Sequence, residues 1–223
     1  MNTIWVFTIK PDGRYKARLC VQGSQDKGKG DILSASPTAT RESFRTILFL
    51  LAQNHWECFS GDIPQAFLQS DPEFRDREIY CVPPPFLGFE PEKVLKLKKC
   101  VYGLIDAPLQ WWATIEDWMR TDPTMFTLRD PKSQQLKGLV GVAVDDTLWG
   151  GDDDFKKVMD EFRNKFLPGK EWETSMGIGR KFLGHDVIQS QDYSIQVDQD
   201  QYIREHVKPI DLPEHRRKLP DEE

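Results

Sequence analysis

The sequence has 223 residues, of which 39% are apolar and 30% charged, a composition typical of an ordinary globular protein with one large domain or two small ones. Its formal net charge of −6 argues against a protein that simply coats nucleic acid, because phosphate binding relies on lysine and arginine. The longest uninterrupted apolar run, Ile47 to Ala52, is far shorter than the roughly 20 residues that cross a bilayer, so no membrane partner is predicted.

A basic β-hairpin is predicted at the start of the chain. Residues Trp5 to Ile9 alternate as in a strand, the pattern breaks at Pro11-Asp12-Gly13, and it resumes from Tyr15 to Val21. Between Lys10 and Lys29 six basic residues stand against two aspartates, and a second basic cluster, without acids, extends from Lys93 to Lys99. Each cluster is either a solvated face or a surface that binds phosphates.

The next elements place an aspartate at the end of a strand. Four apolar residues at helical spacing predict an amphipathic helix, and they are Phe44, Ile47, Leu48 and Leu51. A strand from Trp56 to Ile63 follows, and then a short helical stretch. Asp62 therefore lies where the strand gives way to the helix.

Two further aspartates are predicted at the tip of a β-hairpin. The apolar strand Leu139 to Val144 can pair with a return strand from Thr147 to Trp149, which leaves Asp145 and Asp146 between them. Other strands are predicted at 79–82, 94–97, 182–188 and 193–197, with helices after residue 108 and over 155–166. The predicted fold class is α+β.

The three aspartates suit a site for divalent cations. Mg²⁺ prefers carboxylate and phosphate oxygens, and two ions about 3.5–4 Å apart can stabilise the attacking and leaving oxygens of a phosphoryl transfer. Spacing alone leaves an alternative open, in which Asp145 and Asp146 form a solvated turn and Asp62 caps a helix.

Seven motifs, in the same order, resemble those of copia-type retrotransposon reverse transcriptases and extend over nearly the whole chain. They are Tyr15-Lys16-Ala17-Arg18-Leu19, Ser36-Pro37-Thr38, Gly61-Asp62-Ile63-Pro64-Gln65-Ala66-Phe67-Leu68, Pro84-Pro85-Phe86-Leu87-Gly88-Phe89, Leu95-Lys96-Leu97-Lys98-Lys99 with Tyr102-Gly103-Leu104 and Ala107-Pro108, Val144-Asp145-Asp146 and Phe182-Leu183-Gly184. The resemblance implies the fingers and palm of a right-hand polymerase from a Pol polyprotein. It predicts a basic fingers hairpin followed by an antiparallel palm sheet packed on helices, over residues 1–210, with a frayed or truncated tail at 211–223.

The resemblance also assigns roles to the aspartates. Asp62, Asp145 and Asp146 match the carboxylates that hold two Mg²⁺ ions, which Mn²⁺ can replace. Asp62 and Asp145 match the positions that bridge both ions, and Asp146 has the more supportive part.

Three other residues match the nucleotide-binding positions of the family. Lys16 and Arg18 match basic residues that neutralise the triphosphate of the incoming dNTP. Phe67 matches the aromatic residue that excludes a 2′-hydroxyl and so selects deoxynucleotides. A core position beside Leu68 is the alternative interpretation of Phe67.

The implied activity is template-directed DNA synthesis from dNTPs on a primed RNA or DNA template. Other segments of the Pol polyprotein, including RNase H and integrase, are the expected partners in a complete element. The expected location is intracellular, in a cytoplasmic retroelement particle or in the nucleus.

Several departures from the family pattern lie near the expected site. Ala143 stands where a tyrosine usually precedes Val-Asp-Asp, Ile105-Asp106 where Lys-Gln is common, and Leu109 where an arginine is usual. These changes and the short chain predict weak activity. The chain is then a polyprotein fragment, a truncated gene model or a catalytically decayed remnant that keeps the fold and binds nucleic acid only.

Overall fold

The computed structural model describes residues 1–10, 12–28, 30, 39–75, 77–90, 92–119 and 125–207. Within these segments the chain forms four α-helices and twelve β-strands. The motif Ser36-Pro37-Thr38 and the predicted tail 211–223 lie outside the described residues, as do parts of the predicted domain 1–210.

The predicted N-terminal hairpin is present. Strand β1 (Thr3–Ile9) pairs antiparallel with β2 (Tyr15–Val21), and Trp5 lies opposite Leu19. Strand β1 is exposed along most of its length. Because an isolated two-stranded hairpin is marginally stable in water, its order depends on contacts at its base.

The chain then alternates between helices and short strands. The elements are α1 (Arg41–Gln53), β3 (Phe59–Asp62), β4 (Tyr80–Cys81), β5 (Leu95–Lys96), α2 (Ala107–Met119), β6 (Met125–Arg129), β7 (Leu136–Ala143), β8 (Asp146–Gly151), α3 (Asp153–Phe166), β9 (Glu173–Thr174), β10 (Arg180–Phe182), β11 (His185–Gln189), β12 (Ile195–Asp198) and α4 (Asp200–His206). In the part of the chain described, no helix is both long enough and apolar enough to cross a bilayer.

The central sheet is antiparallel and has the strand order β6-β7-β8-β3-β9. Strands β7 and β8 form the predicted hairpin, in which Val144 and Asp145 make the connection. Strand β3 pairs with β8 so that Asp62 lies opposite Asp146. The predicted α+β class is confirmed, and the register brings the three aspartates to one end of the sheet.

Both faces of the central sheet are covered, which explains why β7 and β8 are apolar along their length. On one face Val140 and Trp149 pack with α2 and α3 residues such as Trp111 and Phe162. On the other face alternate strand residues pack against α1 and the β10–β11 hairpin, in a cluster that includes Ile47, Leu51, Leu139, Leu148 and Phe182. The sheet end that carries the aspartates is therefore supported from both sides.

A third apolar cluster joins the N-terminal hairpin to the start of α2. It contains Val21, Ile79, Cys81, Cys100, Leu104 and Ala107. The Val21 amide donates to the Tyr102 carbonyl at 2.9 Å. Gly103 approaches Val21 so closely that a Cβ would lie 2.1 Å from the Val21 oxygen, and its φ of +89° also favours glycine. The base of the hairpin is thus docked on the loop before α2.

One predicted strand is wrong. Residues 182–188 form two strands, β10 and β11, which turn at Leu183 and Gly184. These two residues have φ values of 50° and 75°, and two consecutive positive φ values are what a tight two-residue hairpin connection requires. The apolar pattern did not indicate the turn, because Phe182 and Val187 on either side are both buried.

Candidate active site

The turn between β7 and β8 holds Asp145 in a fixed position. Val144, at the first turn position, has a φ of 60°, which is unusual for a β-branched residue and persists only where its surroundings enforce it. The Trp111 indole donates a hydrogen bond to the Val144 carbonyl, and the Ile63 amide donates to the Asp145 carbonyl at 2.7 Å. Helix α2 and the end of β3 therefore both hold the turn.

The structure brings Asp62, Asp145 and Asp146 together at the end of the sheet. Asp62 and Asp145 are exposed, whereas Asp146 is partly buried. Burial, together with the negative charges of Asp145 and Asp62, raises the pKa of Asp146 to about 6. Three mutually repelling carboxylates are a donor set for which a divalent cation would relieve the repulsion.

Lys170 is a residue of this site that sequence reasoning missed. It follows the Pro168-Gly169 end of α3, and its Nζ lies 3.1 Å from Asp62 Oδ2 and 2.7 Å from the Asp62 carbonyl oxygen. Nothing in the local sequence pattern near Lys170 predicts that the chain returns to β3.

With the side chains in these positions, the described residues contain no group of three or more His, Cys, Asp or Glu side chains that could hold a metal ion.

A cavity of about 570 Å³ lies between the N-terminal hairpin and the aspartates. Lys16 and Arg18 line it from β2, and Asp62 and Asp145 line it from the sheet. Arg18 lies over the Tyr102 ring, with its guanidinium carbon 5.6 Å from the ring centre. The cavity thus combines cations and carboxylates across a space that suits a small polyanion and its counter-cations.

Phe67, the other predicted nucleotide-binding residue, packs behind this cavity. It is half-buried, contacts two of the apolar clusters, and meets the Tyr102 ring edge-on at a centroid distance of 5.6 Å. Tyr102 lines the cavity, and Phe67 is not among its lining residues. The sugar-selecting role of Phe67 therefore stays a prediction, and Tyr102 is an aromatic residue of the cavity that the sequence did not single out.

A second cavity, of about 650 Å³, lies on the other side of the aspartates. It shares Asp62 with the first cavity and adds Asp146, and several cations also line it, namely Lys170, Arg180 and Lys181. Gly61 faces Trp172 in its wall, where a Cβ would lie 2.6 Å from the indole ring. With Glu171 and Glu173 also in its lining, the second cavity holds four acidic and three basic side chains, so the aspartates border two spaces that each combine both charges.

The family is shown by comparison with known proteins. A family model described as reverse transcriptase (RNA-dependent DNA polymerase) matches residues 1–220. The chain belongs to the reverse transcriptase family. Among curated proteins, this reverse transcriptase chain is 39% identical over 137 residues to the retrovirus-related Pol polyprotein from transposon TNT 1-94 of Nicotiana tabacum. It is also 32% identical over 120 residues to the transposon Ty1-BL Gag-Pol polyprotein of Saccharomyces cerevisiae. The predicted resemblance to copia-type elements is confirmed.

These matches cover a small part of the relatives. The tobacco match spans 57% of this reverse transcriptase chain and 10% of the polyprotein, and the yeast match spans 53% and 7%. Among solved structures, the prototype foamy virus protease-reverse transcriptase aligns with 78% of this chain and 20% of its own, at a TM-score of 0.35 and 15% identity.

Two of the departures from the family pattern, Ala143 and Asp106, are buried in this reverse transcriptase, whereas Ile105 and Leu109 are partly exposed. Ala143 is 7% exposed and packs in the cluster that includes Phe182. Asp106 is 3% exposed and forms ion pairs with Arg77 and Arg75. Asp106 thus belongs to a buried charge network.

Proposed function

We propose that this chain carries out template-directed DNA synthesis from dNTPs as part of a retrotransposon polyprotein. The observation that supports the proposal is the cavity in which Lys16 and Arg18 face Asp62 and Asp145. Phosphoryl transfer needs positioning and charge stabilisation more than covalent participation of the protein, and this arrangement offers both.

The carboxylates are the proposed ligands of two Mg²⁺ ions, or of Mn²⁺. Bound ions of this kind stabilise the charge that develops on the attacking and leaving oxygens. Asp62 and Asp145 offer exposed oxygens toward the first cavity, and the more buried Asp146 supports them from behind. Asp62 must leave Lys170 to bind an ion with the same oxygen. That exposed ion pair contributes about 0–1 kcal/mol, so it yields readily.

The hairpin residues are the proposed contacts for the nucleotide. Lys16 and Arg18 would pair with the triphosphate oxygens, and the stacking of Arg18 on Tyr102 fixes the direction of its guanidinium. Tyr102, supported by Phe67, would stand beside the sugar.

We further propose a primed RNA or DNA template as partner, RNase H and integrase as neighbouring segments, and an intracellular particle or the nucleus as location.

Primer extension tests the proposal. We expect the purified chain to extend a primer on RNA or DNA templates with Mg²⁺ or Mn²⁺. Asp62→Asn and Asp145→Asn should each lower the rate by more than about a hundredfold, because each removes one of the carboxylates that would hold the ions. Asp153→Asn is the matched control, since its side chain is 92% exposed and it follows the end of β8 opposite to Asp146.

The same assay separates the proposal from the decayed-remnant alternative. That alternative is favoured by Ala143, which is buried and stands in place of the family's tyrosine. A folded wild type that binds primed template without extending it would support the remnant. A loss below about tenfold in both aspartate variants, with an active wild type, would contradict the metal assignment.

A further inference from the structure

Four charged side chains form a buried network beside the base of the N-terminal hairpin. Arg77 Nη1 lies 2.7 Å from Asp26 Oδ2, while Arg77 Nε and Nη2 lie 3.2 and 3.1 Å from Asp106 Oδ2. Arg75 adds a second guanidinium at 4.0 Å from the same Asp106 oxygen. The side chains of Asp26 and Asp106 are only 8% and 5% exposed, so both carboxylates are shielded from water, while that of Arg77 is 28% exposed.

The members of the network come from separate parts of the fold. Asp26 follows β2 at the foot of the hairpin, and Asp106 immediately precedes α2. Arg77 lies in the segment before β4 and reaches both carboxylates. A single guanidinium therefore ties the hairpin to the start of α2.

The same helix reaches the aspartates at the candidate active site. Trp111 of α2 donates a hydrogen bond to the carbonyl of Val144, which directly precedes Asp145. The hairpin carries Lys16 and Arg18 on the other side of the cavity. A series of contacts thus runs from the cations of the hairpin to the carboxylates and does not cross the cavity. It passes through Asp26, Arg77, Asp106 and α2.

We infer that Arg77 is a positioning residue, which fixes the cations of the hairpin at the distance from the carboxylates that a nucleoside triphosphate with its bound cations requires. The inference rests on the proposed function. It goes further by naming a residue that lines neither the cavity nor the group Asp62, Asp145 and Asp146 and yet sets triphosphate affinity.

The chemistry of arginine suits this role. Its planar fork presents several N–H groups in fixed directions, so one side chain can bond to two carboxylates at once. A lysine at position 77 keeps the charge but offers a point donor, and it would satisfy Asp26 or Asp106 and leave the other poorly paired. Because both carboxylates are buried, the unpaired one would favour separation of the hairpin from α2.

Hydrogen exchange provides the first test. In Arg77→Lys and Arg77→Met, amides of β1 and β2 should exchange at least about tenfold faster, while amides of β7 and β8 stay unchanged. Glu78→Gln is the matched control, because Glu78 neighbours Arg77 and its contacts, an ion pair with Lys96 and a hydrogen bond from the Tyr80 hydroxyl, are exposed. Unchanged exchange of the hairpin in folded variants would overturn the inference. Equal acceleration in the hairpin and the central sheet would also overturn it, since Arg77 would then only add to global stability.

Kinetics provides the second test. In Arg77→Lys the KM for dNTP should rise at least about tenfold while kcat changes less than about threefold, because the carboxylates remain in place. Equal loss in kcat and in kcat/KM would overturn the positioning role. If wild type extends no primer, the proposed function fails, and the exchange experiment still decides whether Arg77 holds the hairpin. If Arg77→Met does not fold, Arg77→Lys and Asp26→Asn give the same two readouts.

Discussion

At the scale of single residues, the candidate site concentrates negative charge that the rest of the fold must tolerate. Asp146 lies opposite Asp62 across a strand pair and next to Asp145 in the chain. Like charges directly opposite one another destabilise a sheet, so this end of the sheet is less stable than it would be with neutral residues. Such an arrangement is typical of a functional site, where ligand binding compensates for the repulsion.

The pKa of Asp146 predicts how stability depends on pH. The pKa of Asp146 is about 6 in the folded chain against an ordinary value of 3.8, so this carboxyl binds more protons in the folded than in the unfolded chain between these pH values. The free energy of unfolding therefore falls as pH rises through this window, by about 1 kcal/mol after allowance for partial exposure. Thermal melts in chelator at about pH 5 and about pH 7 should show this slope in wild type.

Asp146→Asn isolates the effect. The variant should lack that part of the slope and melt at a higher temperature than wild type near pH 7 without metal. Asp153→Asn should keep the wild-type slope. Identical pH dependence in wild type and Asp146→Asn would show that Asp146 is not the residue responsible.

Phe67 supports Tyr102, the aromatic residue that lines the cavity. In Phe67→Ala the edge contact to Tyr102 is lost, so Tyr102 gains freedom and discrimination against a 2′-hydroxyl should weaken by on the order of tenfold. The measurement is the ratio of rNTP to dNTP incorporation. Phe86→Ala serves as control because that ring is 86% exposed. A lower melting temperature with an unchanged ratio would make Phe67 a core residue.

At the scale of elements, the end of β3 is positioned by close packing as well as by strand pairing. Gly61 lies directly before Asp62, and a Cβ there would meet the Trp172 ring at 2.6 Å and the Leu167 side chain at 3.1 Å. The Thr147 hydroxyl also donates to the Gly61 carbonyl at 2.9 Å. These contacts fix the position of the backbone at Asp62.

Gly61→Ala should therefore disturb both stability and the site. We expect the free energy of unfolding to fall by about 1–3 kcal/mol, because the indole ring cannot move aside without displacing its neighbours. Denaturant titration measures the change, and Gly30→Ala is the control because a Cβ there has open space. Adding Trp172→Leu to Gly61→Ala should recover part of the lost free energy of unfolding. An equal effect of both glycine substitutions would contradict this packing argument.

The sequence predicted elements best where one face of the element is buried. Helix α3 and the β7–β8 hairpin were predicted because apolar spacing reflects what they pack against. The turn at Leu183-Gly184 was missed because Phe182 and Val187 are both buried and so continue an apolar pattern on either side of Gly184 and the polar pair His185-Asp186. Local turn conformation of this kind depends on the pairing of the flanking strands, which spacing does not encode.

At the scale of the whole molecule, contacts between distant segments account for what sequence reasoning could not supply. The three aspartates, Lys16 and Arg18 were named from motifs, and the fold brings Lys16, Arg18, Asp62 and Asp145 to one cavity. Lys170 reaches Asp62 across 108 positions, and Arg77 reaches Asp26 across 51. Pairings over such separations leave no periodic trace in the sequence, so only the folded chain reveals them.

The charge network also couples substitutions at positions 77 and 106. Replacing Asp106 alone by the glutamine common in the family would remove the carboxylate that pairs with Arg77 and lies near Arg75, and would leave guanidinium groups poorly compensated in a buried place. Replacing Arg77 first would strand Asp26 and Asp106 instead. Each residue therefore constrains the other, so substitutions at 77 and 106 should be tolerated better as a pair than either one alone.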